Sequence, residues 1–166
     1  MKTRQQGTTT VEFAIIGALF FIVLFGVVEI GRALFVWNGL ADITRRAARI
    51  AAVCPPNDPD ITRAAIYNAV TDGGDSRVIS GLGPDDIKLD YLKSDMTPEP
   101  SPATTGFSNV RYVQASIDTD TYTHQLLIPM MNINLTPPDF STTVPAESLG
   151  RWKDAAGNVT NDCYFP

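Results

Sequence analysis

At 166 residues the chain is long enough for one domain with a modest core, and only 19% of it is charged, which is low for a soluble domain of this size. A net charge of −5 and the lack of a strong basic face argue against a nucleic-acid partner. Apolar residues crowd into the N-terminal third, and that asymmetry carries most of the information in the sequence.

The first seven residues, MKTRQQG, contain the cations Lys2 and Arg4, and no acid precedes Glu12. From Val11 to Val28 every residue except Glu12 is apolar or small. As a helix that run spans roughly 27 Å, close to the ~30 Å hydrocarbon core of a bilayer. The h-region of a cleaved signal needs a small-residue cleavage site directly after it. Here EIGRALFVWNGLADITRRAARIAAV follows instead and keeps a helical pattern, which favours a transmembrane helix. Lys2 and Arg4 then predict a cytoplasmic N-terminus by the positive-inside rule, against which Arg45, Arg46 and Arg49 on the far side weigh.

Beyond the apolar run, Ile30, Leu34, Trp37, Leu40, Ala41, Ile43, Ala47, Ile50 and Ala51 recur at spacings of three and four. Arg32, Asp42, Arg45, Arg46 and Arg49 interleave with them as a polar face. Glu29 and Arg32, three residues apart, are placed to pair at the membrane border. The tandem prolines of CPPNDP end the helix, which from about Thr8 to Val53 is roughly 70 Å long. Its outer half needs a partner for the apolar stripe, and the rest of the chain is the candidate.

Asp60 is read as the N-cap of a second helix over 61–72, stopped by Gly73 and Gly74. Residues 87–93, IKLDYLK, alternate as a strand, and 109–120, NVRYVQASIDTD, is the clearest strand; the two are expected to pair antiparallel. In the second, Val110, Tyr112, Gln114 and Ser116 face one way and Arg111, Val113, Ala115 and Ile117 the other. Residues 94–106 are a proline-containing loop. Residues 122–135 contain a proline and fit a loop, an edge strand or an amphipathic segment. FSTTVPAESL is a weak last strand, and a polar tail follows from Gly150. Cys54 and Cys163 lie on the same side of the apolar run; in an exported domain they suggest one disulfide, the alternative being two unrelated thiols.

Other constellations are weaker. His124 has no cysteine or paired acid at ligand spacing and reads as a solvated histidine at a strand edge. Asp72, Asp75, Asp85 and Asp86 lack the spacing of a calcium loop and read as solvated, so no metal or cofactor is expected. No nucleophile–base pair or phosphate loop is visible, which argues against an enzyme.

The informative residues are Gly7-Thr8-Thr9-Thr10-Val11-Glu12-Phe13. A basic leader ends in glycine, and an acid stands five residues later in an apolar helix, where a carboxylate is costly and usually functional. This resembles the processing site of type IV prepilins, cut after the glycine by a membrane aspartyl peptidase. The resemblance maps Gly7 to the last leader residue, Thr8 to the new N-terminus and Glu12 to the glutamate that meets a neighbouring subunit's amine. More widely, G-x-x-x-V-E-F, the apolar run, E-x-G-R, an aromatic cluster and A-A-R-x-A resemble the N-terminal block of TadE-like minor pilins of the tight-adherence (Tad) pilus. Residues 54–166 carry no motif of that family.

The resemblance implies a leader at 1–7, a helix over 8–53 with its transmembrane part at about 11–28, and a periplasmic domain over 54–166. The expected fold is α+β and pilin-like: a long N-terminal helix, half in the inner membrane, packed on a small antiparallel sheet with a second short helix. The implied role is a minor pilin that assembles into or primes a pilus for adherence. The implied partners are a prepilin peptidase, other pilin subunits met through the N-terminal helix, an inner-membrane assembly platform and lipid. Two alternatives stay open: a pseudopilin of a type II-like secretion system, and a membrane-anchored binding or adhesin domain that never assembles.

Overall fold

The computed structural model describes residues 6–68, 74–127, 133–153, 159–161 and 163. Helix α1 runs unbroken over Gln6–Val53, about 72 Å at the standard rise. Its first part stands bare: Phe13, Ile16, Phe20, Ile22 and Val27 are all exposed. It is the one helix among the described residues long and apolar enough to cross a membrane. From Ala33 onward one face is buried, with Leu40, Ile43, Ala47 and Ala51 fully enclosed. Their spacing is the three-and-four rhythm of a helix lying on a core.

Two strands and a third make the sheet beneath that face. β1 (Ile87–Leu92) pairs antiparallel with β2 (Tyr112–Ile117), in the register Ile87↔Ile117 to Leu92↔Tyr112. The weak strand 141–145 is the third member: after the two-residue strands β3 (His124–Gln125) and β4 (Asn134–Leu135), β5 (Ser141–Pro145) pairs antiparallel with the other side of β2. Val113, Ala115 and Ile117 point at α1, while Tyr112, Gln114 and Ser116 face away half-exposed. Within β2 the sequence assigned those two faces correctly, but just before the strand Val110 is buried and Arg111 exposed, the reverse of the expectation, because the strand and its alternation begin only at Tyr112; the fold is α+β as expected. The alanines of α1 let the sheet come close; nearer the bare part of the helix Val36, Leu40 and Ile43 share a core with Ile79, Leu82, Ile117 and Tyr122. Farther along, Ala51, Ala52 and Cys54 pack with Ile61, Tyr91, Val113 and Leu149.

Helix α2 is shorter than the sequence suggests and starts earlier. It covers Pro59–Ala65, capped by Asp58, whose carboxylate accepts from the Asp60 amide at 2.9 Å. Asp60 is therefore a first-turn acid and not the N-cap. Proline is pre-organised for the first helical position, so Pro59 fixes the start one residue after Asp58. The helix stops because Tyr67 turns into the left-handed region at φ 59°. The expected stop at Gly73-Gly74 lies partly outside the described residues.

The C-terminal end of α1 is closed by distant chain. Its last carbonyls have no partner within a helix that stops at tandem prolines. Glu147 and Leu149 donate their amides to the Ala52 carbonyl, and Gly150 donates to that of Val53 at 2.7 Å. Beside this cap Cys54 is bonded to Cys163, closing a loop of 109 residues in sequence separation. A small hairpin, β6 (Arg151–Lys153) with β7 (Val159–Asn161), lies between the cap and that cysteine in sequence.

Candidate functional site: the bare helix and the cluster at its border

The leading part of α1 and the cluster where the globular part begins are the two places where chemistry concentrates. In the first, the helix already includes Gly7, and Thr8 and Glu12 are both exposed. Four residues apart, Thr8 and Glu12 lie on the same stripe of the helix, one turn above each other. Glu12 is a lone carboxylate on an otherwise apolar surface, flanked by exposed Val11, Phe13, Ile15 and Ile16. No other element among the described residues covers the side chains of Val11, Phe13, Ile15 and Ile16 around it.

In the second, the Glu29–Arg32 pair does more than brace one turn. Arg32 Nε donates to Glu29 Oε2 at 3.3 Å and Nη2 donates to Oε1 at 2.5 Å. The same Nη2 donates to the Gln125 carbonyl, and the Leu127 amide donates to Glu29 Oε1 at 2.9 Å. The pair thus ties α1 to the β3 strand and the residues after it. Glu29 is buried, though it stands next to the apolar run, because residues 124–127 cover it.

His124 corrects a reading made from sequence. It is not solvated: it is 4% exposed and its Nε2 has no hydrogen-bond partner among the described residues. β3 turns it inward beside Tyr122, which is also buried. Burial, with the Arg32 cation adding to it and Glu29 opposing, pushes the imidazole below its ordinary range. The missed signal was the alternation of Tyr122 with His124, which puts both on one face of an extended segment. A cleft of about 360 Å³ opens beside the cluster, lined by Arg32, Phe35, Val78, His124 and Leu127 among others.

No group of three or more histidine, cysteine or carboxylate side chains among the described residues is arranged to hold a metal. Of the aspartates weighed for calcium, Asp72 lies outside the described residues, and Asp86 accepts the Gly83 amide at 2.7 Å, a local turn contact. Farther out, Asp42, Arg46 and Tyr67 form a connected set that sequence reasoning missed; the Tyr67 hydroxyl donates to the Asp42 carboxylate and the Arg46 guanidinium lies 4.5 Å above the Tyr67 ring.

No curated protein and no solved structure matches the chain. A family model does: the one described as TadE-like protein matches residues 7–49. That stretch begins at Gly7, in the first turn of the bare helix, and runs through Glu12, Glu29 and Arg32 to Arg49. The family points to a pilin-like component associated with a Tad pilus, structural in kind, and the long apolar helix is consistent with a membrane anchor. Over residues 7–49, most of helix α1, the chain is thus similar to TadE-like proteins.

Proposed function

We propose that the chain is a minor pilin subunit, cut after Gly7 by a prepilin peptidase and anchored in the inner membrane by residues 11–28 until an assembly platform moves it into a Tad-type pilus. The observation that carries this reading is the bare front of α1 within the matched stretch: a lone exposed carboxylate, Glu12, on an apolar helix, with no other described element covering the side chains around it. A carboxylate facing hydrocarbon is expensive, so its retention calls for a partner that arrives later. The partner in this proposal is the Thr8 amine that cleavage creates on a neighbouring subunit. Thr8 and Glu12 share one stripe, so an axial shift of about 6 Å between two parallel helices brings the amine of one level with the carboxylate of the next. Gly7 suits the scissile position because glycine destabilises a helix by about 1 kcal/mol relative to alanine, which helps the backbone open for a protease.

Residues 54–166 form the periplasmic part in this reading, and the Cys54–Cys163 disulfide fits an oxidising compartment. The test separates processing from assembly. Replacing Gly7 with a residue larger than alanine is expected to leave the precursor uncut. Glu12→Gln keeps shape and removes charge, so cleavage is expected to continue while entry into filaments falls. At an effective dielectric near 20, an ion pair at about 4 Å is worth roughly 4 kcal/mol before desolvation, enough to bias which subunits enter. Normal incorporation of the Glu12→Gln chain into filaments sinks the assembly role.

A further inference from the structure

The outer half of α1 carries a second surface, beyond the stretch proposed to lie in the membrane. Arg45, Arg46 and Arg49 are exposed on the side of α1 opposite to the buried Leu40, Ile43, Ala47 and Ala51. With Asp42, Ile50 and Tyr67 they line an open groove of about 560 Å³. The groove is held in shape from one side: Tyr67 adopts φ 59°, uncommon for an aromatic residue, and from there engages both Asp42 and Arg46. Arg45 and Arg49 make no ion pair with any described residue. Unpaired guanidiniums clustered in a chain of net charge −5 recognise carboxylates, for which their planar fork of donors is suited.

A lipid headgroup is too far away to be that ligand if Val11–Val28 crosses the bilayer. Arg45 then stands about 26 Å beyond the end of the apolar run, whereas the headgroup layer adds only about 5–7 Å per side.

The complementary surface is on the same chain, on the other side of the sheet. Lys88 and Asp90 alternate with the core-facing Ile87, Leu89 and Tyr91, so they point away from α1. Lys88 Nζ is 2.8 Å from Asp118 Oδ2, with Asp120 and Asp90 acting on the same ammonium. The Asp118 amide donates to the Asp86 carbonyl at 2.8 Å, which brings Asp85 and Asp86 to the same corner. Asp85, Asp90 and Asp120 are exposed there. One lysine against these aspartates leaves the corner strongly negative. Helix and sheet lie between the two patches, so they cannot meet within one chain.

We propose that the Arg45–Arg49 groove receives the Asp85–Asp90–Asp120 corner of a second copy of this chain. The contact joins two different patches, so it does not close on itself and can repeat from copy to copy, as a filament requires. The inference deepens the subunit role proposed above and rests on it.

The test uses two separately tagged full-length chains made together in cells with the assembly machinery. One carries Arg49→Lys with Asp85→Asn, Asp90→Asn and Asp120→Asn; the other has its natural residues. A zero-length carbodiimide then couples amines to adjacent carboxylates, and the Lys88–Asp118 pair reports in every sample that coupling has occurred. The expected result is a covalent species containing both tags, joined from position 49 of the first chain to Asp85, Asp90 or Asp120 of the second. Lys88–Asp118 coupling without that junction overturns the inference, as does coupling of position 49 to a different protein. Filaments that contain the chain but lack the junction sink this contact and leave the subunit role standing. The junction in chains that never enter filaments sustains the contact and removes the role.

Discussion

Gly150 is held where a side chain has no room. Its φ is +75°, and a Cβ would fall 2.4 Å from Pro55 Cδ, at the point where its amide closes the end of α1. Gly150→Ala is therefore expected to destabilise the globular part by about 1–3 kcal/mol, read as a lower urea midpoint of the full chain in detergent by tryptophan fluorescence. His124 sets a pH dependence. Its folded-state pKa lies below the unfolded value, so the native state binds fewer protons. Stability is complete above the unfolded value of about 6.5 and falls as pH drops from there through the folded value. The midpoint is expected to be lower at pH 5.5 than at 7.5, and His124→Gln to flatten that difference; an unchanged slope means another group is responsible. At this scale the sequence was legible where partners are near in the chain. Glu29 and Arg32 announce themselves at i,i+3, but Gln125 and Leu127 lie more than ninety residues away and join them only through the fold. Asp58 was legible too, through Pro59, and was passed over for Asp60.

Among elements, the exit of α1 and the C-terminal segment form one unit. Residues 147–150 satisfy the helix's last carbonyls, and the Cys54–Cys163 bond fixes the tail beside them. Replacing both cysteines with serine removes a cross-link across a loop of 109 residues in sequence separation. The chain-entropy argument puts the loss at up to about 4–5 kcal/mol. Thermal unfolding with and without reductant is expected to reproduce that loss in the natural chain and show no reductant effect in the double variant. At the other end, Glu29→Ala removes the carboxylate to which both Arg32 and the Leu127 amide donate, leaving Arg32 only the Gln125 carbonyl, so it is expected to cost about 1–3 kcal/mol. Hydrogen exchange should localise that loss to residues 124–127 and 133–135. The long elements were readable because their periods repeat: α1 over many turns, β2 over three full alternations. β3 and β4 are two residues each, too short for any period to declare itself, and they exist because the Glu29–Arg32 pair and the core of Tyr122 hold them against α1.

At the scale of the whole molecule, a bare apolar helix carries a compact domain on its far end, and the proposed membrane topology follows from how that domain is reached. Lys2 and Arg4 favour a cytoplasmic start, and a domain closed by a disulfide favours an oxidising side. A reporter active only outside the cytoplasm, fused after Pro166, is expected to be active. The family resemblance was legible because residues 7–49 carry their pattern in a single helix, where spacing in sequence is spacing in space. The rest of the chain folds through contacts between distant segments, and no motif marks them. The central proposal is that this helix is a pilin helix, freed by cleavage at Gly7. Mass spectrometry of the mature chain, isolated from cells with the cognate prepilin peptidase, tests it most directly. The N-terminal residue is expected to be Thr8. A chain that keeps Met1 through Gly7 in those cells, or one that begins beyond Val28, contradicts the proposal.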